Sequence, residues 1–566
     1  MVAMKVLSAA EMQACDRATT ERFGIPSIAL MRAASSAVAA FARRQFPHAR
    51  RVTVLCGHGN NGGDGMMAAR LLAASGLDVT TLLLGVPEKL TGDAATAWHE
   101  LTSPMRGRVH VIASAQELGR HRDALNADLI VDAVLGTGFK PPLKGLALAA
   151  LERLRASHAP ILAVDLPSGW PADETSATFA GPAFPADAVI TFTAPKPAHV
   201  FGQLTRSWHQ PVVVAPIGSP DAAIVSSLNL DWAGSSLALA QTPRPAASNK
   251  GNFGHVLVVG GAFGSAGGKA GAPVMTALAA LRVGAGLVTT AVPAPALSLV
   301  ASAALELMTW PLTATVEGRI SAKNLAPRRL AALTEGKTLL AIGPGLGQSA
   351  DTVKFTTGLL SATQIPAVID ADALNIMAAS RALLAKVAKM GKAGRTLVLT
   401  PHPGEMARLA GIKIAAVQAN RLDTARSFAL RMGVTLVLKG ARTIIAHPDG
   451  HVAVNTTGNP GMAKGGSGDL LTGLIAGMLA QYPHEPARAV EAAVYLHGLA
   501  ADLAVSKSDE HTLLATDCLA ELAPAFQSRA NAPDQAFDAD GQNGYVWLQG
   551  IACNRTGLHA SNRNEG

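Results

Sequence analysis

Aromatic residues are scarce in this chain, 4% of 566 residues against 49% apolar overall, so its cores must be mostly aliphatic. Cysteine is scarcer still. Cys15, Cys56, Cys518 and Cys553 show no Cys-x-x-Cys spacing, which argues against a disulfide framework or a cysteine zinc site and predicts a reducing, cytoplasmic compartment. Residues 1–10 lack a basic segment followed by a long apolar core, so no signal peptide is expected. The stretch 283–305 carries no charge and is long enough to cross a bilayer, but Pro293 and Pro295 stand at its middle. It reads as a buried helix, strand and turn, and no membrane partner is expected. The formal net charge is +8, with Arg43, Arg44, Arg50 and Arg51 as the nearest thing to a cluster. No aromatic residues interleave with them as a stacking surface would require, so no nucleic-acid partner is expected. Small polyanionic ligands suit such a charge.

What is present is length enough for two domains, and glycine and proline spread through it as many tight βα turns would need. Ser8 and Glu11 form a capping-box pattern that opens the first of two helices over residues 8–46. The β-branched run 51–56 then enters Gly57-His58-Gly59-Asn60-Asn61-Gly62-Gly63-Asp64-Gly65, with a helix predicted over 66–74. Strand, glycine-rich turn and helix is the ligand-binding geometry of doubly wound α/β folds. Asn60, Asn61 and Asp64 crowd this turn with oxygens that suit a cation or a sugar, although a decorated turn with no ligand fits the same residues. Two more strands end in polar loops, Asp132 to Gly136-Thr137-Gly138-Phe139 and Asp165-Leu166-Pro167-Ser168. Loops at the carboxyl ends of parallel strands converge on one crevice, so Asn61, Asp132, Asp165 and Ser168 are expected to share a site. Lys196 ends a further strand and is a secondary candidate, since a lone lysine there is usually a surface charge.

Residues 226–248, rich in proline and small polar residues, read as a linker between a domain over 1–225 and another over 249–526. The second half again alternates strands, polar loops and helices, as a mostly parallel sheet covered by helices does. Its loops carry Gly347, Asp370, Asp372 and His402, the last of which could equally hydrogen-bond its own loop. The densest signal is Gly465-Gly466-Ser467-Gly468-Asp469 before an apolar helical run, preceded by Lys439-Gly440-Ala441-Arg442-Thr443 at a strand end. A helix start aims backbone N–H groups at an anion, and Asp469 sits in its first turn as a base. A glycine-rich turn with an aspartate cap is the plainer reading of the same residues. Residues 527–566 are polar without period and read as a disordered extension in which Tyr545, Val546, Trp547 and Leu548 could dock.

With these motifs the chain resembles a known family. Lys439–Thr443 and the Gly-Ser-Gly-Asp helix start look like those of ribokinase-like NAD(P)H-hydrate dehydratases. Asn-Asn-Gly-Gly-Asp, Asp-Ala-Val-Leu-Gly-Thr-Gly and Asp-Leu-Pro-Ser-Gly-Trp look like those of NAD(P)HX epimerases. The fold implied is a Rossmann-like doubly wound sheet followed by a ribokinase-like α/β sandwich. The resemblance implies epimerisation of NADHX and NADPHX in the first half, with potassium on Asn61, Asp132 and Ser168. Substrate would lie along Asn60, Asn61, Gly62, Gly63, Asp64, Gly136, Thr137, Gly138, Phe139, Lys140, Pro141, Pro142 and Asp165, with Asp165 as acid or base. In the second half it implies nucleotide-dependent dehydration, with ADP as donor and magnesium. There Lys439, Gly440, Ala441, Arg442, Thr443 and Gly468 would hold the nucleotide, and Ala272, Gly347, His402 and the base Asp469 the hydrate. The residues themselves do not separate ADP from ATP. A homo-oligomer is the expected assembly. A vitamin-precursor kinase of the same fold is the nearest rival, and a non-catalytic scaffold a more distant one. Neither gives the loaded strand ends of the first half a role.

Overall fold

A computed structural model describes residues 3–103, 108–240, 243–265, 267–528 and 544–549. The chain forms two compact units, one of residues 4–228 with the segment from 530 onward, the other of residues 229–529 with the first three residues.

In the first unit seven strands are β1 (Arg51–Cys56), β2 (Asp78–Leu84), β3 (Val109–Ile112), β4 (Leu129–Ala133), β5 (Ile161–Val164), β6 (Ala188–Phe192) and β7 (Val212–Ala215). They are parallel, in the order β7-β6-β5-β4-β1-β2-β3, and a short strand Val546–Trp547 pairs antiparallel with β7. The chain leaves β1 in one direction toward β2 and β3, then returns to place β4 on the other side of β1. That switch point opens a crevice at the carboxyl ends of β1 and β4. Alternate residues feed two cores. Val52, Val54 and Cys56 face helices Ser27–Gln45 and Asn60–Ala74, while Leu55, Leu82 and Leu84 join Leu151 and Leu154 of helix Gly145–Leu154.

The glycine-rich turn is shorter than its sequence predicts, because the helix begins at Asn60, not Met66. Glycines normally weaken a helix, but here a side chain has no room. A Cβ on Gly62 would stand 2.0 Å from the Gly57 carbonyl oxygen, and one on Gly65 2.4 Å from Ala133 Cβ.

The second unit holds a ten-stranded sheet and a small hairpin. Its strands are β8 (Leu230–Trp232), β9 (His255–Val259), the hairpin β10 (Phe263–Gly264) and β11 (Gly267–Gly268), β12 (Leu287–Pro293), β13 (Met308–Leu312), β14 (Leu339–Ile342), β15 (Ala367–Ile369), β16 (Leu397–Leu399), β17 (Thr435–Leu438), β18 (Ile444–Ala446) and β19 (Val452–Val454). The order is β13-β12-β9-β14-β15-β16-β17-β18-β19-β8. It switches direction between β9 and β14 and is parallel from β13 to β17.

Two expectations differ from this structure. Residues 226–248 are not a linker throughout, since β8 pairs with β19 and the following turns lie in the second unit. The extension is not featureless either. Val546–Trp547 completes the first unit's sheet, while 529–543 and 550–566 lie outside the described residues. The stretch 283–305 contains β12 and two short helices; β12 is buried as expected, whereas Leu299 and Leu305 beyond it are exposed. Helix Pro486–Lys507 is, among the described residues, the one long and apolar enough to cross a membrane, and 89% of its apolar window is buried within the fold. Cys15, Cys56 and Cys518 are buried free thiols; Cys553 lies outside the described residues.

Candidate active sites

In the first unit, three strand ends meet as their sequence suggests. A Cβ on Gly136 would be 2.8 Å from Asp165 Oδ2 and 3.3 Å from Asn61 Oδ1, so these loops converge on one point. Asp165 follows β5 in the left-handed region (φ 66°). Its Oδ1 accepts hydrogen bonds from Lys196 Nζ at 2.9 Å and Thr191 Oγ1 at 2.9 Å, and its Oδ2 from the Thr137 amide at 2.8 Å. Lys196, only 2% exposed, also donates to Thr191 Oγ1 at 2.7 Å. Burial, the largest single influence, would raise the Asp165 pKa, but the Lys196 charge together with the hydrogen bonds from Lys196 and the Thr137 amide and the field of His199 holds the carboxyl at about 2. His199 lies against the Asp165 carbonyl at 2.7 Å, and burial and the Lys196 charge lower its pKa to about 4, so its ring is neutral.

Asp132 and Ser168 are bonded to each other. Ser168 donates its hydroxyl to Asp132 Oδ1 at 2.6 Å and its amide to Oδ2 at 2.8 Å. Burial pushes Asp132 up to about 6 against those hydrogen bonds. Both side-chain polar atoms of Asn61 are buried and lack a hydrogen-bond partner. Asp64 is raised well above the usual carboxylate range by burial and then by the Asp165 charge. Gly62 and Gly63 are buried in the helix, whereas Asn60, Gly138, Lys140, Pro141 and Pro142 are exposed and Phe139 packs on the second core.

Sequence reasoning missed His199, Thr191 and Asp16 here. Thr191 sits mid-strand, where a threonine signals only β propensity. Asp16, on helix Ala9–Glu21, is raised by burial, opposed by Lys196 and reinforced by Asp165, which places it in the same electrostatic field.

In the second unit, Asp469 lies in the first turn of helix Ser467–Gln481, whose cap Gly466 takes φ 95°. Burial and then the Asp370 charge raise Asp469 to about 6, against Lys439 and Lys269. Asp370, 1% exposed at the end of β15, accepts from Lys439 Nζ at 2.9 Å and from Thr472 Oγ1 at 2.8 Å. Burial would raise this carboxyl, but Lys439 and the hydrogen bonds from Thr400 and Thr472 together lower it. Two carboxylates in one pocket are thus driven apart, one ionised and one holding its proton to about 6. A Cβ on Gly468 would be 3.4 Å from Lys439 Nζ, so the helix start and the lysine face the same space. Thr276 Oγ1 donates to the Ala272 and Asp469 carbonyls at 3.1 and 3.0 Å, joining those two positions. The Gly347 amide donates to Asp372 Oδ2 at 2.8 Å, which also lies 3.6 Å from Lys269 Nζ.

Other predicted contacts are engaged locally. His402 caps helix Pro403–Ala410, its Nδ1 accepting from the Gly404 amide at 3.0 Å, and burial and Lys439 lower its pKa. Arg442 donates to the Thr456 carbonyl at 2.8 Å and Thr443 to the Gly440 carbonyl at 2.9 Å. Arg421, absent from the sequence reading, donates to the Ala441 carbonyl at 2.6 Å and fixes this loop. What the loop offers a ligand is therefore Lys439 and the backbone of Gly440 and Ala441.

The family described as YjeF-related protein N-terminus matches residues 27–198, and that described as NAD(P)H-hydrate dehydratase matches 256–524. The bifunctional NAD(P)H-hydrate repair enzyme Nnr of Moorella thermoacetica is 42% identical over 528 residues, covering 91% of this chain and 95% of its own. That of Escherichia coli K12 is 35% identical over 523 residues, covering 90% and 91%. A solved ADP/ATP-dependent NAD(P)H-hydrate dehydratase from Bacillus subtilis is 32% identical with a TM-score of 0.42, covering 51% of this chain and 96% of its own.

Proposed function

The chain belongs to the family of bifunctional NAD(P)H-hydrate repair enzymes, and on that premise we propose how its two sites divide the work. The first unit interconverts the R and S epimers of NADHX and NADPHX around Asp165. A carboxyl held at about 2 is a poor proton store, so Asp165 works as half of a pair in which Lys196 presents the proton. Potassium would sit on Asn61, Asp132 and Ser168. The orphaned Asn61 amide and the buried, raised Asp132 carboxyl fit a monovalent cation, which would supply charge to both and order the three loops. The remaining predicted loop residues, from Asn60 to Asp64 and Gly136 to Pro142, form the substrate's rim.

The second unit dehydrates the S epimer. Hydroxide leaves poorly, and phosphorylation of the ring hydroxyl converts it into phosphate, a good leaving group. Asp469 accepts the hydroxyl proton as the oxygen attacks the terminal phosphorus of the nucleotide, the bond from that phosphorus to the nucleotide's bridging oxygen breaks (ADP leaving as AMP), and the first-turn amides at Gly468 stabilise the transferring group. Lys439, Gly440 and Ala441 hold the nucleotide, ADP in our reading, while Ala272, Gly347 and His402 border the hydrate. Both oxygens of Asp370 are engaged, so a magnesium ion here would be held by nucleotide phosphates and water, supplying charge neutralisation there. The observation that carries the assignment is the place of Asp469, in the first turn of a helix whose start faces the Lys439–Asp370 pair.

The test is purified protein with NADHX and ADP or ATP. Regained nicotinamide absorbance with free phosphate supports repair; a stable phosphorylated alcohol would make the unit a kinase. Replacing potassium by lithium, or Asp132 by alanine, should depress epimerisation and spare dehydration. Unchanged epimerisation in both would remove the potassium assignment.

A further inference from the structure

Away from both sites, the β18–β19 hairpin carries His447 and His451 on either side of its turn. The His447 amide donates to the His451 carbonyl at 2.8 Å, making them cross-strand partners whose side chains share a face. Their rings stack at 5.4 Å with 12° between planes. Glu491, from helix Pro486–Lys507, meets both. Its Oε1 is 3.0 Å from His447 Nε2 and 3.9 Å from His451 Nδ1. His447 is 2% exposed and Glu491 6%.

We propose that His447 Nε2, His451 Nδ1 and Glu491 Oε1 form a site for a divalent transition cation of the zinc class. Two imidazoles and one carboxylate make a borderline-soft donor set that suits zinc better than magnesium or calcium. One ligand atom from each of the three residues lies within 4.8 Å of the others. Small side-chain shifts bring them to the roughly 2.0–2.2 Å of zinc–nitrogen and zinc–oxygen bonds.

The outer partners that ligands to such an ion need are already in place. His447 Nδ1 lies 3.3 Å from Thr435 Oγ1, His451 Nε2 lies 3.0 Å from Asp231 Oδ2, and Glu491 Oε2 accepts from Ser236 Oγ at 2.5 Å. Each far atom is held so that the near atom can face a common point. A hydrogen-bonded staple accounts for less. One proton on His447 Nε2 joins it to Glu491, but His451 Nδ1 stands beyond hydrogen-bond range of the same oxygen. A cation serves all three, and the half-buried His451 leaves an approach and a fourth position for water. Because Asp231 and Ser236 come from the β8 segment, the ion would fasten β8, β18 and β19 to the helix.

The experiment strips the full chain with chelator and titrates it with cobalt(II), magnesium being present throughout. One equivalent should give visible d–d absorption that zinc displaces, and zinc should raise the unfolding temperature of the stripped protein. His451→Gln and Glu491→Gln should each weaken cobalt binding more than about tenfold. The second replacement is nearly isosteric and keeps a hydrogen-bonding oxygen in the cluster, so it reads the ligand set if the first fails to fold. No stoichiometric cobalt spectrum, or one unchanged in the folded variants, overturns the proposal.

Discussion

Asp469 holds its proton to about pH 6 because burial and the neighbouring Asp370 charge both disfavour its ionised form. A general base works only when ionised, so kcat/KM for dehydration should fall as pH drops through about 6, the free-enzyme limb. The stability sign is opposite. A carboxyl whose folded pKa is raised favours the fold while protonated, and that contribution is lost as pH rises from the ordinary aspartate value through about 6. Asp469→Asn should therefore abolish dehydration, keep nucleotide affinity within about tenfold and cost no stability at neutral pH. Near-normal turnover in that variant would remove the base assignment. Lys196→Met tests the other site. It leaves the Asp165 carboxylate buried without its cation, which costs about 3–5 kcal/mol, and it should cut epimerisation by at least about 100-fold. Dehydration measured on the same sample should be unchanged; a merely exposed lysine would give neither effect.

Helix Ser467–Gln481 brings Asp469 into place by lying against helix Gly271–Arg282 through glycines. A Cβ on Gly473 would stand 2.0 Å from the Thr276 carbonyl oxygen, and one on Gly477 2.6 Å from that of Ala280. Alanine in a helix gains about 1 kcal/mol over glycine, but overpacking costs about 1–3 kcal/mol, and a helix backbone cannot yield as a side-chain tip can. Gly473→Ala should thus lower thermal stability and dehydratase turnover while sparing epimerisation, as melting curves and the two assays would show. The apolar run after Asp469 made this helix legible in the sequence, and the β-branched runs 51–56, 161–164 and 435–438 gave their strands within a residue. The helix start at Asn60 was not legible, because only the neighbouring Gly57 carbonyl and Ala133 explain why glycines sit in it. The ion pairs Asp165–Lys196 and Asp370–Lys439 and the hydrogen bond Asp370–Thr472 join separate elements. Aspartates, glycines and the lysines Lys196 and Lys439 at strand ends announced the sites; that Asp370 would meet Lys439, and which threonines would complete each site, depended on sheet order.

At the scale of the whole chain, the first unit is closed by residues from beyond the second. A three-residue strand such as β8 and a two-residue strand at 546–547 are too short for periodicity to reveal, and polar neighbours hid both. Yet the later segment is anchored by more than its strand. Tyr545 donates its hydroxyl to the Ala37 carbonyl at 2.7 Å, Tyr545 and Trp547 meet Phe41 edge-on at 5.2 and 5.9 Å, and Arg44 lies over Trp547 at 5.4 Å. The Leu548 amide donates to the Val212 carbonyl at 3.0 Å, covering the β7 edge. Burying an aromatic or leucine side chain contributes about 1.5–3 kcal/mol, and ordering each residue costs about 1–2 kcal/mol. Three buried large side chains, one buried hydroxyl bond and a closed sheet edge therefore leave a net of a few kcal/mol at most. Ending the chain after Ser528 should strip this cover from the Phe41 core and expose β7 as an unpaired edge. Heat inactivation of epimerisation should then accelerate while that of dehydration holds, and Trp547→Ala in the full chain should move epimerisation in the same direction by less. Equal inactivation rates for the truncated and full chains would mean that the segment rests on the sheet without supporting it.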